Sequence, residues 1–249
     1  MKRTCDFISP SPPPKYQRVE NFFDLPSLIN YIRNSGQVPE CIPILEKINK
    51  KIGVSSVKYL ITKLVYYYLK TSVDGSSPII PSEYSILLTG KHGTGKSMLA
   101  SLIKSLYTSL GIKTRISIYE GDRPTPTELK MGEIVLITAE EYTFYSNVCW
   151  HLHLDDYTNR ELVEMLVFIL LEEGWSFIGN ADKLLLPETA ARQGHDIASL
   201  ASISKIVHVS RTFPYTFSRD ITTDDMEEAI VVHKKNMGKC DLRYDSMFS

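Results

Sequence analysis

Ser85-Ile-Leu-Leu-Thr89-Gly90-Lys91-His92-Gly93-Thr94-Gly95-Lys96-Ser97-Met98-Leu99 is the stretch on which the reading of this chain turns. Its first part, Ser85 to Thr89, is a short apolar run of the kind that forms a buried strand, and Met98, Leu99, Leu102, Ile103 and Leu106 recur at the spacing of a helix with one apolar stripe. Between them, Gly90 to Ser97 fits G-x-x-x-x-G-K-[ST] at every defined position. With glycine at its average usage of about 7%, a chance match in a chain this long is roughly a one-in-a-hundred event. The residue types follow from the chemistry of holding phosphate. Glycines let the backbone turn its N–H groups inward, and the start of the following helix adds a favourable field for an anion. Gly90, Lys91, His92, Gly93, Thr94, Gly95, Lys96 and Ser97 are therefore the candidate phosphate-binding set, with Lys96 directed at the β and γ phosphates and the Ser97 hydroxyl at Mg²⁺.

Outward from this loop, short apolar strands alternate with helices. Strands are expected at Ser85 to Thr89, Thr114 to Tyr119, Glu133 to Thr138, Cys149 to Leu154, Trp175 to Gly179 and Lys205 to Val209, and helices at about 96–110 and 159–173. Thr158-Asn-Arg-Glu161 is a capping box opening the second helix, and Gly174 closes it. Such alternation predicts an α/β fold with a mainly parallel sheet over 79–215, a core built around the phosphate-binding loop. A small helical region over 18–72 precedes it, read from Leu25, Leu28, Ile29 and Ile32 and again from Val57, Leu60, Ile61, Leu64 and Val65. The tyrosine run Tyr66, Tyr67, Tyr68 continues the last of these helices, and core or interface packing is favoured for it over base stacking. Ser72 to Pro78 has the chemistry of a turn at a domain boundary, residues 1–17 the composition of a disordered tail, and 216–249 is set apart as a C-terminal segment.

The composition of all 249 residues, 43% hydrophobic and 23% charged, is that of a soluble globular protein. A formal net charge of −1 gives no global attraction for a polyanion, although a local basic patch can be masked by acidic regions elsewhere. Cys5, Cys41, Cys149 and Cys240 are far apart, without C-x-x-C spacing, so neither a disulfide framework nor a structural zinc site is expected. The basic start lacks the apolar stretch of a signal peptide, and no run of 18 apolar residues exists. The expectation is an intracellular protein, of cytoplasm or nucleus, that does not span a membrane.

Strand, complete loop motif and helix together resemble P-loop NTPases. Hydrolysis requires in addition a carboxylate at the end of a neighbouring strand. Trp150-His-Leu-His-Leu-Asp155-Asp156, then the capped helix, then Trp175-Ser-Phe-Ile-Gly-Asn180, resembles the order of Walker B and sensor 1 in AAA+ ATPases, or of the B and C motifs in superfamily 3 helicases. The resemblance covers roughly residues 84–210. It implies that Asp155 serves the Mg²⁺ shell, that Asp156 activates water and that Asn180 orients it. Against Asp155 stands the pattern of its strand, because a period of two puts His151, His153 and Asp155 on one face, whereas a central parallel strand is normally apolar on both. Glu133-Ile-Val-Leu-Ile-Thr138, followed by Glu140 and Glu141, is the alternative. The first pair is favoured for the order of elements that follows it.

The same resemblance implies an arginine reaching a neighbouring copy's nucleotide, for which Arg192 and Arg211 are candidates and Lys205 a weaker third. The expected ligands are ATP and Mg²⁺. The expected partners are further copies of the chain and single-stranded or duplex nucleic acid, as in replication proteins, viral ones among them. His151 and His153 also resemble the metal-binding pair of HUH nucleases, but the order of domains is wrong for that family, and histidines satisfied by hydrogen bonds are preferred. Ile178-Gly-Asn180-Ala-Asp182-Lys183 departs from the guanine-specifying N-K-x-D element of GTPases. A packaging ATPase, a small-molecule phosphotransferase and a nucleotide-gated scaffold remain open alternatives.

Overall fold

The computed structural model describes residues 24–73, 79–121, 132–186, 194–213 and 218–245. Three helices open it. In α1 (Leu25–Ser35) the Asp24 side chain accepts the Ser27 N–H at 2.9 Å, and Gly36, at φ 67°, ends the helix by donating to the Ile32 carbonyl. The stripe Leu25, Leu28, Ile29, Ile32 is buried, as its spacing predicts. Helices α2 (Ile42–Asn49) and α3 (Ser55–Val73) follow, and α3 buries Val57, Leu60, Ile61, Leu64, Val65 and Leu69. Tyr68 is half-buried and donates to the Leu110 carbonyl at 2.6 Å, so one of the three tyrosines ties α3 to the next layer.

After a single helical turn, α4 (Pro81–Tyr84), come β1 (Ile86–Thr89), α5 (Lys96–Ser109), β2 (Ile116–Glu120), β3 (Ile134–Ala139) and β4 (Trp150–His153). These four strands form one parallel sheet in the order β2-β3-β1-β4. All of β1 and β3 is buried. Leu99, Ala100, Ile103, Leu106 and Tyr107 of α5 pack into the same interior as α1, α2 and α3, which makes the helical region and one face of the sheet a single core. Leu87, Val135, Ile137, Ala139 and Tyr145 form a smaller cluster with Tyr119 and Val148.

A second interior is built by α6 (Asn159–Glu172), β5 (Ser176–Ile178), α7 (Gly194–Thr212), β6 (Asp220–Thr222) and α8 (Thr223–Asp245). The capping box of α6 forms as its sequence predicts, with the Thr158 side chain and Glu161 bonded reciprocally. Strand β5 pairs in parallel with β6 in a separate two-stranded sheet, away from the four-stranded one.

Two expectations are corrected here. Lys205 to Val209 is no strand but the later part of α7, because the buried positions Ile197, Leu200, Ala201, Ser204 and His208 run at helical spacing while Ile206 and Val209 face solvent. Asn180 ends no strand of the main sheet, since β5 belongs to the small one. Met226, Ala229 and Ile230, from the segment after residue 215, are buried in the second interior with Leu162 and Leu166. The expected tail, most of the Ser72–Pro78 turn and Arg192 lie outside the described residues.

Candidate functional site

The loop from Gly90 to Gly95 bends through positive φ at Gly90 (144°), Gly93 (83°) and Gly95 (91°), which side-chain-bearing residues rarely adopt. At Gly90 the need is also steric, because a Cβ there would lie 2.5 Å from the Leu154 carbonyl oxygen. Thr94 is buried, and its hydroxyl donates to the Lys91 carbonyl at 2.9 Å. Lys96 begins α5 and donates from Nζ to the carbonyls of Gly90 (2.6 Å) and Lys91 (2.7 Å), so its ammonium sits in the mouth of the loop. Ser97 and His92 are exposed beside it.

The loop opens into a cleft of about 780 Å³. One wall is His92, Gly93, Gly95, Lys96, Ser97, Met98 and Leu102; the other is Ile52 and Val54 with Met165, Phe168 and Ile169 of α6. Lys47, Lys50, Lys51 and Glu172 also line it. The cleft thus has a cationic, donor-rich end and an apolar end, which suits a triphosphate joined to a planar base. Tyr157 lines it too. Its hydroxyl donates to the Thr94 carbonyl at 2.9 Å, and its ring fills the space where a Cβ on Gly53 would come within 2.8 Å. Burial, with the Glu161 charge, raises the Tyr157 pKa, which keeps this hydroxyl a donor. Sequence reading missed Tyr157, Gly53 and the Lys47–Lys51 rim; the one available signal was an aromatic residue between the acidic pair and the capping box.

Both acidic pairs flank the loop, one on each side of β1. Register aligns Thr89 with Ala139 of β3 and with His153 of β4, so Glu140 and Leu154 are the next residues on either side of Gly90. Asp155 is almost fully exposed, 3.9 Å from His153 Nε2, and the Asp156 carboxylate forms an ion pair with Lys91 of the loop. Glu140 and Glu141 are exposed. For Mg²⁺, which takes oxygen ligands, the residue types present fit: the Ser97 hydroxyl lies at the cleft, and the carboxylates of both pairs, which do not themselves line it, follow the two flanking strands within one to three residues.

His151 Nε2 and His153 Nδ1 both bond the Thr89 hydroxyl, at 2.8 and 3.1 Å, and the Tyr142 ring lies 4.6 Å from that of His151. Burial, then the neighbouring His153, lowers the His151 pKa. The preferred reading of a hydrogen-bonded pair fits this geometry, and no group of three metal-ligating side chains occurs among the described residues.

Asn180 is occupied elsewhere, since its side chain accepts the Asp182 N–H at 3.0 Å and caps the 3-10 turn Ala181–Lys183, and it does not line the cleft. Arg211, on α7, donates to Asp225 at 2.8 Å and lies 3.7 Å from Asp224. Lys205 pairs with Glu173. Asp225 also accepts from the Thr222 N–H and from His208; burial opposes its ionisation, but these bonds prevail and its pKa is lowered.

A parallel α/β sheet with this loop between β1 and α5 is the P-loop NTPase fold. Among solved structures, a point variant of Thermotoga maritima RuvB aligns with 74% of this chain and 71% of its own, at 16% identity and a TM-score of 0.51. RuvB from the same organism, described as a Holliday junction branch migration motor, aligns over 73% and 70% at 17% identity and 0.49. Caenorhabditis elegans PCH-2 aligns over 74% and 70% at 12% identity and 0.36. At these identities the likeness to RuvB is one of fold. No protein-family description and no curated protein matches the chain. Among the described residues, no helix is long and apolar enough to cross a membrane.

Proposed function

We propose that the protein binds ATP with Mg²⁺ and hydrolyses it as an AAA+-type motor acting on nucleic acid. The observation that carries this is the glycine loop with Lys96 in its mouth, opening into a cleft whose far wall is α6. The loop N–H groups and Lys96 hold the phosphates, and Ser97 and Asp155 hold Mg²⁺ or its waters. Bound Mg²⁺ supplies charge neutralisation of the phosphate oxygens. Asp156, kept beside the loop by Lys91, polarises the attacking water. The register of Glu140 with Gly90 favours a second assignment, in which Glu140 and Glu141 take these roles. Asn180 is left out, bound as it is to its own turn. Superfamily 3 helicases share the order of elements read for AAA+ ATPases, and β5, lying in the small sheet, departs from that order for both alike.

Nucleic acid as the polymer acted on is supported by the fold of RuvB, itself a branch migration motor. Assembly of several copies, with Arg192 or Arg211 reaching a neighbour's nucleotide, completes the proposal; Arg211 is the one seen, half-exposed, and would have to exchange its bond to Asp225 of its own chain for that contact. Calorimetry with Mg-ATP, and phosphate release measured alone and with single-stranded DNA, single-stranded RNA or duplex, test it. Lys96→Ala is expected to abolish tight ATP binding while the chain stays folded, since it removes phosphate contacts and little packing. Unchanged affinity in that variant rules out the phosphate role. Phosphate appearing on a small acceptor instead of in solution points to a phosphotransferase, and binding without turnover to a scaffold.

A further inference from the structure

Helix α3 carries on its outer side Tyr59, Lys63, Tyr66 and Lys70, spaced by four, three and four residues. At about 100° per residue these four lie within about 60° of arc and form a straight row about 16 Å long. Tyr59 is 49% and Tyr66 40% exposed, and both lysines are exposed. Lys63 Nζ lies 4.2 Å from the centroid of the Tyr59 ring and Lys70 Nζ 5.5 Å from that of Tyr66, so cation and aromatic face alternate along the row. The opposite side of α3 is anchored in the main core, which makes the row part of a fixed surface.

Charge sets this surface apart. From Lys47 to Val73 the chain has six lysines and no aspartate or glutamate, in a protein whose formal net charge is −1. The first three of these lysines line the nucleotide cleft, and Lys63 and Lys70 continue the run along α3. Glu83 accepts from the Tyr67 hydroxyl, to one side of the row.

We infer that the Tyr59–Lys63–Tyr66–Lys70 row binds single-stranded nucleic acid, the tyrosine rings stacking on bases and the lysines neutralising phosphates. Alternating rings and ammonium groups match an alternation of bases and phosphates, whereas an acidic peptide would use the lysines and leave the rings without stacking partners. A duplex keeps its base faces stacked and engages the lysines alone. The inference rests on the proposal that nucleic acid is the polymer acted on, and is independent of whether ATP is hydrolysed.

Fluorescence anisotropy with labelled oligo-dT and oligo-U of about 20 nucleotides, long enough for one ssDNA site, and with a duplex of equal length, tests it across a salt series without ATP. The full chain is expected to bind both single strands more tightly than the duplex. Lys63→Gln with Lys70→Gln should weaken binding by about tenfold or more at low salt and reduce the slope of log affinity against log salt by about 1.4, the share of two phosphates on a single strand. Tyr59→Leu with Tyr66→Leu should weaken it by a similar factor and leave the slope unchanged. Circular dichroism and basal ATP turnover, which neither pair should alter, report folding. No single-strand binding by the full chain, or wild-type affinity in both folded double variants, overturns the inference. Lys96→Ala separates the two proposals: it should keep oligonucleotide affinity while losing ATP; turnover with duplex binding but no single-strand binding defeats the row alone, and turnover with no oligonucleotide binding defeats the row and the nucleic-acid role while leaving ATP hydrolysis standing.

Discussion

Strands β3 and β4 both pair with β1 and both run into two carboxylates, yet they differ in almost every other respect. β3 lies between β2 and β1, and its six residues are buried. β4 has only β1 beside it among the described strands; three of its four residues are exposed, and it carries two histidines. A parallel strand inside a sheet must be apolar on both faces because helices or other layers cover both. An edge strand is under no such demand. The alternation of His151, His153 and Asp155 is therefore the mark of an edge, and it ceases to argue against a functional carboxylate there. The histidines bond Thr89 of the central strand and so couple the edge to it.

The contrast can be broken most forcefully in the core. Leu136→Ala on β3, at a residue 1% exposed, should cost about 3–4 kcal/mol, whereas Leu152→Ala, at the one half-buried residue of β4, should cost about 1 kcal/mol. Urea denaturation measures both, and equal losses would deny that β4 is an edge. Next comes the chemistry. Asp156→Asn should slow ATP turnover about 100-fold with ATP still bound, and Glu140→Gln should change it little. The reverse result assigns the working carboxylate to β3.

Glycines at the two strands give a smaller, structural test. Gly90→Ala meets the Leu154 carbonyl at 2.5 Å and should destabilise by about 2–3 kcal/mol and impair ATP binding. Gly132→Ala, at φ 85° before β3 with nothing within 4 Å, should cost only the backbone strain, about 1–2 kcal/mol, and leave ATP affinity intact. The smallest effect concerns protons. The folded pKa of His151 is lowered, so the unfolded chain takes up its proton first as pH falls. This contribution to stability is complete above the ordinary histidine value and is lost as pH drops through it toward the folded value. Denaturation midpoints of His151→Gln should accordingly fall less between pH 7.5 and pH 5.5 than those of the unaltered chain.

Much of the first region was legible because its signals are local. The loop motif, the buried runs of β1 and β3, and the stripes of α1 and α3 each follow from neighbouring residues alone. The second region obeyed tertiary context instead. Ile206, Val207 and Val209 are β-branched and read as a strand, yet Ile197, Leu200, Ala201 and Ser204 set a helical period over a longer span, and packing against α8 decided the matter. Strand β6, three residues long, has no pattern to read, and its pairing with β5 joins residues 44 apart. Asn180 was misassigned for the same reason: its strand was recognised, but a strand does not announce which sheet it joins. Tyr157 lay between two recognised features, and its role depends on Gly53, about a hundred positions earlier.

That tyrosine makes the site mechanically continuous. Its ring is wedged against Gly53, its hydroxyl grips the phosphate loop at Thr94, and its backbone runs directly into the capped start of α6. A displacement of the loop carbonyl must either break the Tyr157 bond or drag the first turn of α6, and α6 is the beam on which the second interior is hung. Because the cleft walls belong to the loop and to α6 alike, any occupant touching both stiffens the joint between them, and by reciprocity whatever restrains the joint tightens the hold on the occupant. Tyr157→Phe, which keeps the wedge and cuts the grip, would leave a hinge where there is now a crank.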